Sequence, residues 1–215
     1  MGILNVTDDS FYDGGRYVTK EAVMDRAAQI LSEGGDIIDI GAMSTRPNAL
    51  EIPEDEEISR IVSAVNVVRK HFPEAVLSID TYRATVAEAA VEAGADMIND
   101  ISGGTFDPDM IPTVGRLQVP YCLMHTTARP SEMQQHTEYK DILADMLQFF
   151  GRQLEKLHAH HVHDIIIEAL NNNRLFFDGY WMRYCIFIDY VNNTTEDIHH
   201  SGFSGDINVL FRVFC

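Results

Sequence analysis

Six apolar runs, each closing on a cluster of polar residues, recur along this chain. They are Gly2–Val6, Asp36–Ile40, Ala75–Ile79, Met97–Ile98, Val119–Met124 and Val162–Ile167. The clusters that follow centre on Asn5-Val6-Thr7-Asp8-Asp9-Ser10, Ser44-Thr45-Arg46, Asp80-Thr81, Asn99-Asp100, His125-Thr126 and Glu168. Most of the intervening stretches space their apolar residues as helices do. Strands buried on both faces read as unbroken Val/Ile/Leu runs, and strands alternating with helices imply a parallel sheet. In such folds ligands sit where the carboxyl ends of the strands emerge. The polar clusters are therefore expected to outline one pocket.

Local signals set the element boundaries. Thr19 is placed to cap a helix running to Leu31, which Gly34-Gly35 ends. Further helices are expected across Asp55–Lys70, Thr85–Ala93, a brief stretch from Pro108, and Tyr139–His158. The pattern fits about six units of a (β/α)₈ TIM barrel, a fold that typically needs about 250 residues. The first strand starts so close to Met1 that a few upstream residues are expected to be missing. Beyond Glu168 the pattern changes: half of the chain's Phe, Tyr and Trp residues lie there, with no alanine after Ala169. Residues 1–168 thus read as a partial barrel and 169–215 as an atypical tail, with strand propensity at Tyr184–Val191 and Val209–Phe214. A frameshifted or truncated gene is the expectation for that tail, and its coding DNA read in the other frames decides it.

Composition excludes several classes. A formal charge of −17 over 215 residues speaks against nucleic acid and anionic membrane partners. Cys122, Cys185 and Cys215 are too few and scattered for a disulfide framework. With no signal peptide and no membrane-length apolar run, a cytoplasmic protein is expected. The histidines at 158, 160, 161 and 163 straddle a helix end and read as solvated rather than metal-ligating. His125 reads as a hydrogen-bonded structural group, and Cys122 as buried and inert.

The clusters carry chemistry. The first packs an amide, hydroxyls and carboxylates into one loop, hard oxygen donors of the kind that suit Mg²⁺, or else a polar turn. Arg46 beside Thr45 suits the bidentate grip of a phosphate, or is a surface arginine at a turn. Asp80 and Asn99 together can read a heterocycle bearing an N–H/NH₂ edge, or merely cap helices.

Taken together these stretches resemble dihydropteroate synthase. Met1–Gly15 matches that family's MGILNVTPDSFSDGG form, with Asp8 for proline and Tyr12 for serine. Asp39–Ala49 matches DIGGESTRPGA, with Ala42-Met43 for Gly-Glu and Asn48 for glycine. SIDT stands unchanged at Ser78–Thr81, INDISGG at Ile98–Gly104 and LMH at Leu123–His125. The resemblance implies a folate-pathway transferase joining 6-hydroxymethyl-7,8-dihydropterin diphosphate to 4-aminobenzoate. By matching position it implies Asn5 as a Mg²⁺ ligand, and Thr45 and Arg46 on the diphosphate. Asp80 and Asn99 fall on the pterin ring with Met124 packed against it, while Asp9, Phe11 and Asp13 belong to a closing loop that forms the aminobenzoate pocket. Asp80 and Arg46 are the expected catalytic residues.

Departures accompany the match. The family's strand-six DPGFGFGK form is replaced by Glu168-Ala169-Leu170-Asn171, leaving Glu168 as a substitute acceptor for the pterin. No SRK-like or RVHD-like motif follows. The homodimer typical of the family, formed through late helices, is therefore not expected with the same assurance, and the form with this tail is expected to be impaired and weakly stable. Two other readings stand beside the synthase: a catalytically dead pterin-binding protein, and a pterin-barrel methyltransferase domain. The latter has no need of the Ser44-Thr45-Arg46-Pro47 anion grip.

Overall fold

A computed structural model describes residues 1–7, 19–43, 51–126, 142–169, 184–188 and 212–213. Six strands run parallel and in chain order: β1 (Gly2–Asn5), β2 (Ile37–Gly41), β3 (Val76–Asp80), β4 (Met97–Asp100), β5 (Tyr121–Met124) and β6 (Ile165–Ala169). Between them lie α1 (Lys20–Ser32), α2 (Glu54–His71), α3 (Ala84–Glu92), α4 (Met110–Leu117) and α5 (Ile142–Ala159). Two further strands, β7 (Tyr184–Ile188) and β8 (Arg212–Val213), extend the sheet antiparallel from β6. The fold is α/β of the TIM-barrel family. The described residues give five complete βα units and a sixth strand, in an open sheet ordered β1 to β8.

Strand alternation sorts the side chains. Leu4, Ile38, Ile40, Leu77, Ile79, Ile98, Tyr121, Leu123, Ile165 and Ile167 all point to the helices. There they share one core with Ala27 and Ile30 of α1, Ile61, Val65 and Val68 of α2, and Val86 and Ala90 of α3. The residues between them, including Asn5, Asp39, Asp80, Asn99, Met124 and Glu168, take the opposite face. These strands read as nearly continuous apolar runs because the helix-facing positions are almost all large apolar residues, while the other face mixes apolar residues with Asp39, Ser78 and the polar carboxyl ends.

The helices form where the sequence signals them. Thr19 Oγ1 accepts from the Ala22 amide at 3.2 Å, capping α1. Gly34, at φ 88°, ends it while its amide and that of Gly35 return to the carbonyls of Leu31 and Ile30. In α2 the first turn carries Glu54–Glu57 and the last Arg69, Lys70 and His71, aligned with the helix dipole. Arg69 also leaves the helix to bond the carbonyls of Gly94 (2.6 Å) and Ala75 (2.6 Å) and the Asp96 carboxylate (2.5 Å). It thereby clasps the amino ends of β3 and β4. β2, β3, β4 and β6 extend one or two residues past their expected ends, and this matters for the site: Gly41, Asp80 and Asp100 lie within the ladder rather than beyond it.

Candidate functional site

The parallel register brings one residue from each strand to a common level. Asn5 pairs with Gly41, Gly41 with Asp80, Asp80 with Asn99, and Asn99 with Cys122. One step further on, Met124 pairs with Glu168. Backbone bonds beyond the strands hold this end together: Val6 to Gly41 at 2.8 Å, Thr81 to Asn99 at 3.1 Å and His125 to Glu168 at 3.3 Å. The expected convergence of Asn5, Asp80, Asn99, Met124 and Glu168 therefore occurs. Thr45, Arg46, Asp9, Phe11 and Asp13 lie outside the described residues.

Gly41 is the low point of the row. A Cβ there would sit 3.4 Å from Asp80 Oδ2 and 3.6 Å from Asn5 Oδ1, so its absence leaves a space flanked by two oxygens. Asn99 is buried, and its Nδ2 donates to Asp39 Oδ2 at 3.0 Å. Its Oδ1 is buried without a hydrogen-bond partner among the described residues, as is Ser78 Oγ. Unsatisfied buried acceptors are rare in folded proteins and call for a ligand or a water. Around Asp80 burial is the largest influence, reinforced by the charges of Asp39, Asp100, Glu57 and Glu168, and together these push its carboxyl up to about 8.

Two buried acids support this row from behind. Asp100 turns to the helix side, accepts from the amides of Ser102 (2.7 Å) and Gly104 (2.8 Å), and takes the Tyr121 hydroxyl at 2.6 Å. Burial raises its pKa despite these bonds. Glu57, fully buried on α2, accepts from Thr81 Oγ1 at 2.8 Å and from Arg83 Nη1 at 2.7 Å, which fixes the turn after Asp80. Gly103, at φ 59°, allows a close approach: a Cβ there would lie 2.5 Å from the Met124 carbonyl.

Other expectations resolve in detail. His125 packs edge-on against Phe149 and Phe150, with ring centroids 5.0 and 6.1 Å away. Its amide also bonds the Glu168 carbonyl, and burial lowers the pKa of its ring. Cys122 is buried. His160 and His161 are exposed, and no group of three His, Cys, Asp or Glu residues among the described ones forms a metal site. Asp39, Ser78 and Glu57 were not singled out by the sequence. Asp39 carried the clearest available signal, a charged residue inside an apolar run.

A family profile described as "Pterin binding enzyme" matches residues 1–171. The chain belongs to that family. A dihydropteroate synthase from Synechocystis is 42% identical over 155 residues, which is 72% of this chain and 53% of the cyanobacterial protein. The crystal structure of the Yersinia pestis dihydropteroate synthase, in complex with a sulfonamide drug, superposes with a TM-score of 0.70 at 37% identity, over 77% of this chain and 60% of that one. The Xanthomonas albilineans dihydropteroate synthase, solved with 4-aminobenzoic acid, gives 0.66 at 33% identity over 77% and 59%. This chain thus spans about half the length of the bacterial synthases it resembles. All the site residues placed above fall within the matched segment.

Proposed function

We propose that this chain carries the pterin-binding half of a dihydropteroate synthase. The reaction would join 6-hydroxymethyl-7,8-dihydropterin diphosphate and 4-aminobenzoate into 7,8-dihydropteroate and diphosphate. The observation that carries this reading is the row Asn5, Asp80, Asn99, Met124 and Glu168, gathered at the carboxyl end of parallel strands in a family built to bind pterins.

A dihydropterin offers N–H and NH₂ donors along one edge. Asp80 and the open Oδ1 of Asn99 provide acceptors for that edge, and Met124 an apolar surface for the ring face. Glu168, buried opposite, adds a further carboxylate. In the reaction the bond between the pterin methylene carbon and the diphosphate oxygen breaks, its electron pair leaving with diphosphate. The arylamine nitrogen then bonds to that carbon and gives up a proton. Ionised Asp80 stabilises the positive charge spread over the pterin as the leaving group departs. We assign Thr45 and Arg46 to the diphosphate, and Asp9, Phe11 and Asp13 to the loop over the aminobenzoate, where exclusion of water protects the cation.

Mg²⁺ fits the donor set: the Asn5 carboxamide oxygen is a hard ligand beside the space at Gly41, and Mg²⁺ commonly keeps waters and shares itself with substrate phosphates. When bound it would neutralise charge on the departing diphosphate. Residues 1–168 form the pterin-binding unit in this reading, with 169–215 outside it. No helix among the described residues is long and apolar enough to cross a membrane.

Calorimetry with the pterin diphosphate, with and without Mg²⁺, tests the assignment, followed by diphosphate release on adding 4-aminobenzoate. Binding strengthened by Mg²⁺, turnover, and loss of turnover in Arg46→Ala support the synthase. Binding without product identifies a pterin-binding protein instead. No binding in either condition removes the reading.

A further inference from the structure

The row of pterin contacts leaves Asp39 without a task, although it lies buried among them. It stands in the middle of β2, opposite Ser78 of β3, while Asn99 stands in β4. The 3.0 Å bond from Asn99 Nδ2 to Asp39 Oδ2 therefore passes across the face of β3 and ties together two strands that are not neighbours. A carboxylate only accepts hydrogen bonds, whereas an amide has a donating and an accepting end. The bond consequently selects one of the two orientations of the Asn99 amide. Turning it over would set oxygen against oxygen across the same gap, in a buried place where that repulsion is costly. In the selected orientation one N–H of the NH₂ group is committed to Asp39. The Oδ1 atom is left buried and without a hydrogen-bond partner among the described residues.

We infer that Asp39 is a positioning residue that locks the amide of Asn99 with its acceptor toward the ligand. It thereby sets the site's preference for a ring edge that donates N–H over one that accepts. The inference deepens the pterin reading and rests on it for the identity of the ligand. Asp39 also acts on Asp80: after burial, its charge is the largest contributor to the raised pKa of that carboxyl.

Three variants test this: Asp39→Asn, Asn99→Asp, and the two exchanged together. Asp39→Asn is nearly isosteric but frees the Asn99 amide to turn, and affinity for 6-hydroxymethylpterin should fall about tenfold. Asn99→Asp alone sets two carboxylates face to face and should lose at least as much. In the exchanged pair the amide on β2 donates to the carboxylate on β4, whose second oxygen still faces the ligand. Affinity should then return to within about threefold of the parent. Recovery of this kind is not expected of residues that merely fill space. The side-chain amide signals of Asn99 in a ¹⁵N–¹H spectrum give a ligand-free readout. One proton protected from exchange in the parent, and exposed in Asp39→Asn, supports the lock. Parent-like affinity in Asp39→Asn, additive losses in the exchanged pair, or an unchanged Asn99 signal overturns it. Should the exchanged pair not fold, Asp39→Asn alone decides through affinity and spectrum. A parent chain that fails to bind any pterin defeats the functional reading, while the spectrum still judges the lock.

Discussion

At Asp80, burial and the charges of four neighbouring acids act in one direction, and the carboxyl that would titrate near 3.8 in an unfolded chain titrates at about 8 in the folded one. Between those values the folded state holds a proton that the unfolded state has released. Stability from this group is complete below about 3.8, falls as pH rises through the window, and is gone above about 8. The slope is at most about 1.4 kcal/mol per pH unit for one group. Denaturation of Asp80→Asn should accordingly show a flatter dependence on pH from 5 to 8 than the parent; parallel profiles would contradict the raised value. Ligand binding should feel the same proton. A pterin that draws its N–H edge onto ionised Asp80 displaces it, so calorimetry near pH 7 in buffers of differing ionisation enthalpy should register proton release, absent in Asp80→Asn. This behaviour was hidden in the sequence, where Asp80 stands alone after an apolar run. The neighbours that shift it come from α2, β2, β4 and β6.

Elements hold these residues in place through a few specific ties. The turn between β3 and α3 depends on the Glu57–Arg83 pair, in which the carboxylate is fully buried and the guanidinium mostly so. Arg83 also bonds the Ile52 carbonyl at 3.0 Å, joining the start of α2 to the start of α3. Arg83→Met should cost about 3–5 kcal/mol by leaving Glu57 buried without its cation, with much of the loss regained in Arg83→Met/Glu57→Gln. Equal losses in the single and double variants, measured by urea denaturation, would argue against the pair. Gly103→Ala meets both a left-handed backbone and the Met124 carbonyl. It should lower pterin affinity as well as stability, because β5 must shift to admit the methyl group. Parent-like affinity would show Met124 to be indifferent to that shift. The strands themselves are legible because their helix-facing positions are almost all large apolar residues. Their final residues are not, since a polar side chain or a glycine inside the ladder looks like the beginning of a loop, as at Asp80 and Gly41. Asp39 was passed over for the complementary reason, as an acid enclosed by a run of isoleucines.

Across the molecule the two ends of the sheet divide their duties. Arg69 clasps the amino ends of β3 and β4 with several charge-assisted hydrogen bonds, remote from the ligand row. Arg69→Ala should therefore lower stability by about 2–3 kcal/mol and leave pterin affinity unchanged below the melting temperature. A change in affinity would show that the ends are coupled. The parallel order of β1 to β6 followed from the alternation of runs and helical stretches, and so did the gathering of polar residues at one end. The antiparallel direction of β7 and β8 did not, because β-propensity carries no sign of direction. The level row of side chains has one last consequence. A molecule seated from Asn5 to Glu168 touches strands that enter the chain more than 160 residues apart, so it acts as a rivet through the sheet. Weakening substitutions anywhere in those strands should thus be repairable by a small heterocycle, by mass action, in proportion to its concentration above Kd.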